Sequence, residues 1–229
     1  MQKNMYMPKE KEKEAISHKV RVLSKEWLTN NTFILRIERK GLQFLPGQYL
    51  VLQEGDGRRE YSICSGLEDD YIEVMVRLIR EGIFTPRLTY LQKGDYIKVE
   101  GPYGFFTMRQ EEMHQYHYYF IATGVGISPF LSFIRSYSQI NYTLLHGVRN
   151  VFEAYRYRQM PDERRIICTS GDDRGDFCGR VTEYMKAHNI INTESIYYLC
   201  GNSDMIDEVT EYLESGGIDP FDIRQEVFF

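Results

Sequence analysis

Two rhythms of apolar and polar positions divide the chain. Up to about residue 110, short stretches of β-branched, aromatic and aliphatic residues alternate roughly with polar ones. Segments 32–37 and 71–78 are the best-defined strands, and 49–53, 61–64 and 96–100 are shorter candidates. Breaks fall at Leu45-Pro46-Gly47, Gly55-Asp56-Gly57, Lys93-Gly94-Asp95 and Gly101-Pro102-Tyr103-Gly104. Short strands at this spacing predict an N-terminal antiparallel β-barrel or a small sandwich. Pro86 suits the first turn of one short helix over 85–91.

Beyond residue 110 the pattern becomes strand–helix alternation, the mark of a parallel sheet with crossover helices. The apolar runs 116–122, 142–146, 165–169 and 195–200 read as buried strands, and 129–137, 151–159, 179–187 and 203–214 read as helices. The last helix has the clearest period: Met205, Ile206, Val209, Tyr212 and Leu213 share a face, Ser203 is a candidate N-cap and Gly216 a stop. The polar stretch 108–113 places the division near residue 110. The expected domains are therefore a barrel over 1–110, with 1–16 a flexible lead, and a C-terminal α/β nucleotide-binding domain over 111–229.

Composition narrows the classes. A chain of 229 residues with 42% hydrophobic residues can bury two ordinary cores. No apolar run approaches the ~18 residues of a membrane span, and the lysine-rich start lacks a secretory pattern. A soluble cytoplasmic protein without a membrane partner is expected, and a monomer. The four cysteines (Cys64, Cys168, Cys178, Cys200) contain no Cys-x-x-Cys pair and the five histidines no zinc spacing, so no metal is expected. A net charge of −5 argues against nucleic acid. Residues 1–110 carry 18 Lys/Arg against 15 Asp/Glu, a net of +3, and residues 111–229 carry 10 against 18, a net of −8. That asymmetry suits an acidic partner on the first half; two solvated surfaces would show the same counts.

Candidate chemistry begins at Thr123-Gly124-Val125-Gly126-Ile127-Ser128-Pro129, between a predicted strand and a predicted helix. Glycines there let backbone N–H groups approach a pyrophosphate at a helix N-terminus. The run lacks the third glycine of the usual dinucleotide fingerprint. At the end of the next strand stands Arg149, with no carboxylate until Glu153, and Arg180 follows a later loop. Both arginines favour a 2′-phosphate, hence NADP over NAD, while Asp172 and Asp173 in the same loop weigh against it.

Several short motifs then occur in one order: Arg59-Glu60-Tyr61-Ser62, Gly82-Ile83-Phe84-Thr85-Pro86-Arg87-Leu88, Gly101-Pro102-Tyr103-Gly104, Thr123-Gly124, Cys200-Gly201 and a terminal aromatic pair. From about Lys19 to Phe229 the chain resembles the ferredoxin–NADP reductase family, most nearly its compact bacterial ferredoxin/flavodoxin type. The resemblance implies bound FAD and NADP(H). Arg59 would pair with the flavin pyrophosphate and Tyr61 offer its face to the flavin ring; Ser62 would lie near the hydride-accepting nitrogen. The Gly82–Thr85 segment would form the pyrophosphate turn, with Thr85 a hydroxyl donor, and Ile63, Phe84, Gly201 and Met205 would complete the cofactor-binding set. Cys200, Glu226 and Phe228 join Ser62 as the expected catalytic group. Plant-type members end in Glu-Val-Tyr; Phe228 matches that tyrosine and Phe229 is an extra residue, so which ring covers the flavin is open. The implied activity is electron transfer between NADPH and ferredoxin or flavodoxin. Two alternatives stand beside it: an NADH-dependent reductase component that supplies an oxygenase, and a flavin-binding regulatory or electron-transfer subunit.

Overall fold

A computed structural model of the protein describes residues 18–228. The expected flexible lead over 1–16 and the side chain of Phe229 lie outside those residues. In the first half the chain forms β1 (His18–Trp27), β2 (Thr32–Glu38), β3 (Tyr49–Glu54), β4 (Gly57–Ser62), β5 (Tyr71–Arg77), α1 (Phe84–Tyr90) and β6 (Tyr96–Tyr103). These strands make a six-stranded antiparallel sheet in the order β4-β3-β6-β1-β2-β5. The edges meet just past β4, where Ile63 bridges Val74 of β5 and the Cys64 N–H donates to the Glu73 carbonyl. Closure makes the sheet a barrel and leaves little free edge.

Alternation sets what fills it. Phe33, Leu35 and Ile37 of β2 point inward with Leu50 and Leu52 of β3, and α1 packs Phe84 and Leu88 onto the same cluster. Ile34 and Met75, on the opposite faces of β2 and β5, join a second cluster shared with the other domain. Strands buried on both faces lose the polar alternation, which is why β2 and β5 stand out in the sequence. The ten-residue β1 escaped notice there: its apolar positions, Val20 and Val22, are diluted by lysines and arginine on the solvent side.

The second half forms β7 (His117–Thr123), α2 (Ser128–Ser136), β8 (Asn141–Val148), β9 (Arg165–Thr169), β10 (Phe177–Cys178), α3 (Val181–Ala187), β11 (Ser195–Gly201), α4 (Ser203–Ser215) and β12 (Ile223–Val227). Its sheet is parallel throughout, in the order β10-β9-β8-β7-β11-β12. The two faces of β11 divide cleanly. Tyr198 and Cys200 face α2 and the barrel; Tyr197 and Leu199 face α3 and α4.

Two local expectations need correction. The predicted helix over 151–159 is instead two short 3-10 turns, Val151–Glu153 and Tyr157–Gln159, joined through Arg156 at φ +58°. Tertiary contacts override helix propensity here: buried Tyr155 shares a 2.9 Å hydrogen bond with Thr32 of β2, and Arg156 pairs with Glu26 of β1 at 2.6 Å. The N-cap of α4 is Asn202, whose side chain accepts the Met205 N–H, and not Ser203; Gly216 ends the helix as expected.

The halves are joined by charge as well as by packing. Glu73 of β5, 2% exposed, receives Arg36 of β2 at 2.7 Å and Arg135 of α2 at 2.7 Å. Burial alone would raise the Glu73 pKa, but the hydrogen bonds and charges of Arg135 and Arg36 outweigh it and hold the carboxyl below its ordinary range. A depressed carboxylate stabilises the fold above its unfolded pKa and loses that contribution as pH falls through the folded one. Glu73→Gln should therefore lower unfolding stability at neutral pH by about 2 kcal/mol, since it removes the carboxylate partner of Arg36 and one of the two carboxylates that Arg135 holds, Asp69 at 2.7 Å being the other. Urea melts of the variant within about 0.5 kcal/mol of wild type would show the carboxylate to be dispensable.

Candidate functional site

In the parallel sheet the strand order reverses at β7: the chain runs outward through β8, β9 and β10, then returns to place β11 and β12 on the other side. Open α/β sheets bind ligands in the crevice at the carboxyl end of such a switch point. There the chain makes a 3-10 turn, Gly124–Ile127, which runs directly into α2 with Pro129 in the first helical turn. Gly124 sits at φ +53°. A Cβ on Gly126 would lie 2.3 Å from the Cys200 carbonyl oxygen, so the turn packs backbone to backbone on the end of β11. A Cβ on Gly201, at φ +136°, would meet the Thr123 hydroxyl at 2.3 Å. The Asn202 N–H donates to that hydroxyl at 2.9 Å and ties the two strand ends together.

The ends of β11 and β12 carry the second part of the site. Cys200 pairs in register with Glu226, and Gly201 with Val227. The Ser62 hydroxyl, at the end of β4, donates to the Glu226 carboxyl at 3.3 Å. Three of the expected catalytic residues thus converge from two domains. Phe228 completes the group: its N–H donates to the Gly201 carbonyl at 2.8 Å, and its half-buried ring packs on the cluster that contains Cys200. Arg224, two residues before Glu226, braces β12 by bonding Glu112 at 2.5 Å and stacking over Tyr198.

Electrostatics at this junction favour uncharged groups. Burial raises the Glu226 pKa to about 7; the Ser62 hydrogen bond opposes the rise and the charge of Glu60 adds to it. Burial, reinforced by Glu226, also pushes the Cys200 thiol well above its ordinary value, so it remains protonated. Cys200 is a neutral S–H in a dry corner, not a reactive thiolate.

On the barrel rim, Arg59 is exposed; its guanidinium donates only to the Arg58 carbonyl and has no carboxylate partner among the described residues. Half-buried Tyr61 stacks on Phe84 at 6.3 Å. Ile63 and Phe84 are buried in the barrel core. The Thr85 hydroxyl is engaged within its own loop, accepting the Ile79 N–H at 2.9 Å and donating to the Ile79 carbonyl. The Gly82 N–H donates to the same carbonyl at 3.0 Å. Loop 79–85 is thereby shaped in advance. An unpaired guanidinium, an aromatic face and a preformed loop beside the Ser62–Glu226 pair fit a flavin dinucleotide: charge for the phosphates, apolar faces for the ring.

At the opposite side of the crevice, Val148, Thr169 and Cys178 share one register row, so Arg149 and Arg180 leave the ends of β8 and β10, which flank β9. Both are exposed without carboxylate partners among the described residues. Two of the competing acids are occupied, while Asp173 is exposed. Glu153 accepts the Arg149 backbone N–H at 3.2 Å, and Asp172 accepts the Val151 N–H and pairs with Arg174. Met205 is buried in the core between α4 and the sheet. Sequence reasoning missed Arg77: its guanidinium comes within 4.0 Å of where a Cβ of Gly124 would stand, a barrel cation at the turn of the other domain. Nothing in its local pattern marks it, because the meeting is purely tertiary. Asn202 did carry a signal, being among the best N-cap residues.

Known proteins agree with this geometry. An oxidoreductase FAD-binding domain model matches residues 11–108, and an oxidoreductase NAD-binding domain model matches residues 120–211. The toluate 1,2-dioxygenase electron transfer component of Pseudomonas putida is 29% identical over 220 residues, covering 88% of this chain; the match spans 64% of that relative's length. The ferredoxin–NADP reductase of Azotobacter vinelandii is 27% identical over 86% of this chain and 89% of its own. In fold, the chain superimposes on a ferredoxin NADP+ reductase from Neisseria gonorrhoeae with bound FAD and NADP at a TM-score of 0.82, with 24% identity over 94% of this chain and all of that one. Among the described residues no helix is long and apolar enough to cross a membrane. With FAD-binding and NAD-binding domain models matched over residues 11–108 and 120–211, and ferredoxin–NADP reductases among its relatives, the chain belongs to the ferredoxin–NADP reductase family.

Proposed function

We propose that the protein transfers electrons between NADPH and a one-electron protein carrier, of ferredoxin or flavodoxin type, through FAD held by residues 1–110, with NADPH on residues 111–229. The observation that carries this reading is the junction itself: a barrel serine hydrogen-bonded to a carboxyl of the α/β sheet, with Cys200 beside it. A flavin-binding domain alone would not need that convergence; a reaction between two cofactors held on different domains does. When bound, FAD supplies the conversion between two-electron and one-electron chemistry. The chain's own residues bind, orient and exclude water. Arg59 neutralises flavin phosphate charge, Tyr61 lends an apolar face, and Phe228 covers the junction. The Ser62 hydroxyl keeps its proton directed at the Oε2 atom of Glu226, whose own carboxyl gains and loses a proton near pH 7.

Arg149 and Arg180 support NADPH over NADH: the nearby Glu153 and Asp172 are already committed to backbone groups, which leaves Asp173 as the acid of that loop that weighs the other way. The carrier would meet the barrel side, where the excess of basic residues suits an acidic partner. We read the enzyme as a cytoplasmic monomer. A second reading, a reductase component that feeds an oxygenase and accepts NADH, is favoured by the similarity to the toluate dioxygenase component.

Anaerobic titration separates the two. NADPH should bleach the bound flavin at far lower concentration than NADH, and the flavin released by heating should be FAD; the reverse preference would assign the protein to oxygenase supply. Arg149→Ala should raise the apparent Kd for NADPH about tenfold, the size of one charge-assisted contact, and leave NADH within about twofold; equal losses for both would remove Arg149 from 2′-phosphate recognition. Ser62→Ala should retain FAD but slow its reduction by NADPH about tenfold or more in stopped flow, and an unchanged rate would exclude Ser62 from the reacting group. The raised Glu226 pKa means the native state keeps a proton that the unfolded chain has lost between the ordinary carboxylate range and about pH 7. Stability therefore falls as pH rises across that window. Glu226→Gln should flatten this slope and abolish an inflection near pH 7 in the flavin reduction rate. An identical pH profile in the variant would show that the carboxyl does not titrate there.

A further inference from the structure

Beneath the 124–127 turn lies a histidine that the proposed chemistry does not use. His146 stands on β8 opposite Ala122 of β7 and Ile167 of β9, and is fully buried. Its Nε2 lies 2.8 Å from the Gly124 carbonyl oxygen. A carbonyl oxygen only accepts, so the ring is the donor and its proton sits on Nε2. Nδ1 is then a bare acceptor, and it is buried without a hydrogen-bond partner among the described residues. Burial lowers the His146 pKa to about 4, against the opposing pull of the Gly124 carbonyl, so the ring is neutral near pH 7. The structure thus tolerates an unsatisfied buried nitrogen while one neutral N–H is aimed at one carbonyl.

The backbone explains what that N–H achieves. Across a trans peptide, C=O and N–H point in opposite directions. Drawing the Gly124 carbonyl toward His146 turns the Val125 N–H away from it. Val125 lies in the first turn of the 3-10 segment, where leading N–H groups have no acceptor within the helix. Gly124 is in the left-handed region at φ +53° and, having no Cβ, lets the peptide flip with little penalty. Something must therefore choose one of the two orientations. Arg77 flanks the same residue from the barrel and adds positive charge beside it.

We propose that His146 is a positioning residue for the dinucleotide phosphates: its Nε2–H holds the Gly124–Val125 peptide so that the Val125 N–H is presented to a phosphate oxygen. This rests on the assignment of the 124–127 turn to the nicotinamide dinucleotide. The effect belongs to the pyrophosphate, which NADP(H) and NAD(H) share, and so it is distinct from the selective effect of Arg149.

The test uses the full chain loaded with FAD and measures the Kd of NADP+ and of NAD+ by calorimetry. His146→Leu, and His146→Phe as a second donorless variant of similar ring shape, should weaken both ligands about tenfold, the loss of one hydrogen bond at a buried site. FAD content and the circular dichroism spectrum should match wild type. His146→Gln, which returns an N–H donor of similar reach, should recover both affinities to within about threefold of wild type. Donorless variants that fold and bind both dinucleotides within about twofold of wild type would overturn the proposal. So would a glutamine variant that folds yet binds as weakly as leucine. A wild-type protein that binds neither dinucleotide would instead overturn the assignment of the turn, a failure visible before any variant is made.

Discussion

The structure turns on a single buried carboxylate. Glu73 lies in the barrel wall, where an isolated charge would be intolerable, and it is stabilised by Arg36 from its own sheet and Arg135 from the other domain. Arg135 occupies the last turn of α2, and the first turn of α2 continues the dinucleotide turn. Fixing one end of this nine-residue helix against the barrel fixes the other end relative to Ser62. Hydroxyls repeat the connection: Ser132 donates to the Ser65 carbonyl at 2.7 Å, and Ser136 accepts the Leu67 N–H at 3.0 Å. Bound to the barrel in this way, α2 cannot shift without breaking a buried ion pair and two hydrogen bonds, so the separation between the two cofactor sites is set by the domain interface.

That rigidity suits the chemistry at the junction. Passing a hydride between two bound rings requires close approach, and orientation is the largest contribution a protein can make to such a step. Burial disfavours charge on the groups around it: Cys200 stays a thiol, His146 an uncharged donor, and the Glu226 pKa rises to about 7. Charges lie at the periphery, where Arg59, Arg77, Arg149 and Arg180 can meet phosphates in partial contact with water. In the function proposed, phosphate binding and ring chemistry would therefore be separated in space by dielectric as well as by residue type.

Much of this was legible in the sequence, and the part that was not has a physical reason. The double-faced burial of β2 and β5 and the strand–helix alternation after residue 110 gave away both layers, because each buries a continuous apolar stripe. Ser62, Cys200, Glu226 and Phe228 were named from ordered motifs, and they converge in space. The 151–159 segment was misread because its helical composition is overridden by contacts with residues more than a hundred positions earlier, Thr32 and Glu26. Arg77 and the role of His146 are invisible for a related reason. One acts across the domain interface and the other through the orientation of a peptide two strands' width of sequence away, and neither relation leaves a period or a spacing.

The missing third glycine of the dinucleotide fingerprint illustrates how a departure from pattern is absorbed. In the usual turn that glycine lets the helix pack closely on its strand. Here Pro129 occupies that position; its fixed φ suits the first helical turn and its missing N–H costs nothing there. The need for close approach has moved to Gly126, whose Cα faces the Cys200–Gly201 backbone with no room for a methyl group. The same contact that replaces the lost helix packing also presses the phosphate-binding turn onto the strand end carrying Cys200. The turn proposed to bind the dinucleotide and the Ser62–Cys200–Glu226 junction thus share one backbone contact, and a side chain at Gly126 would disturb both together.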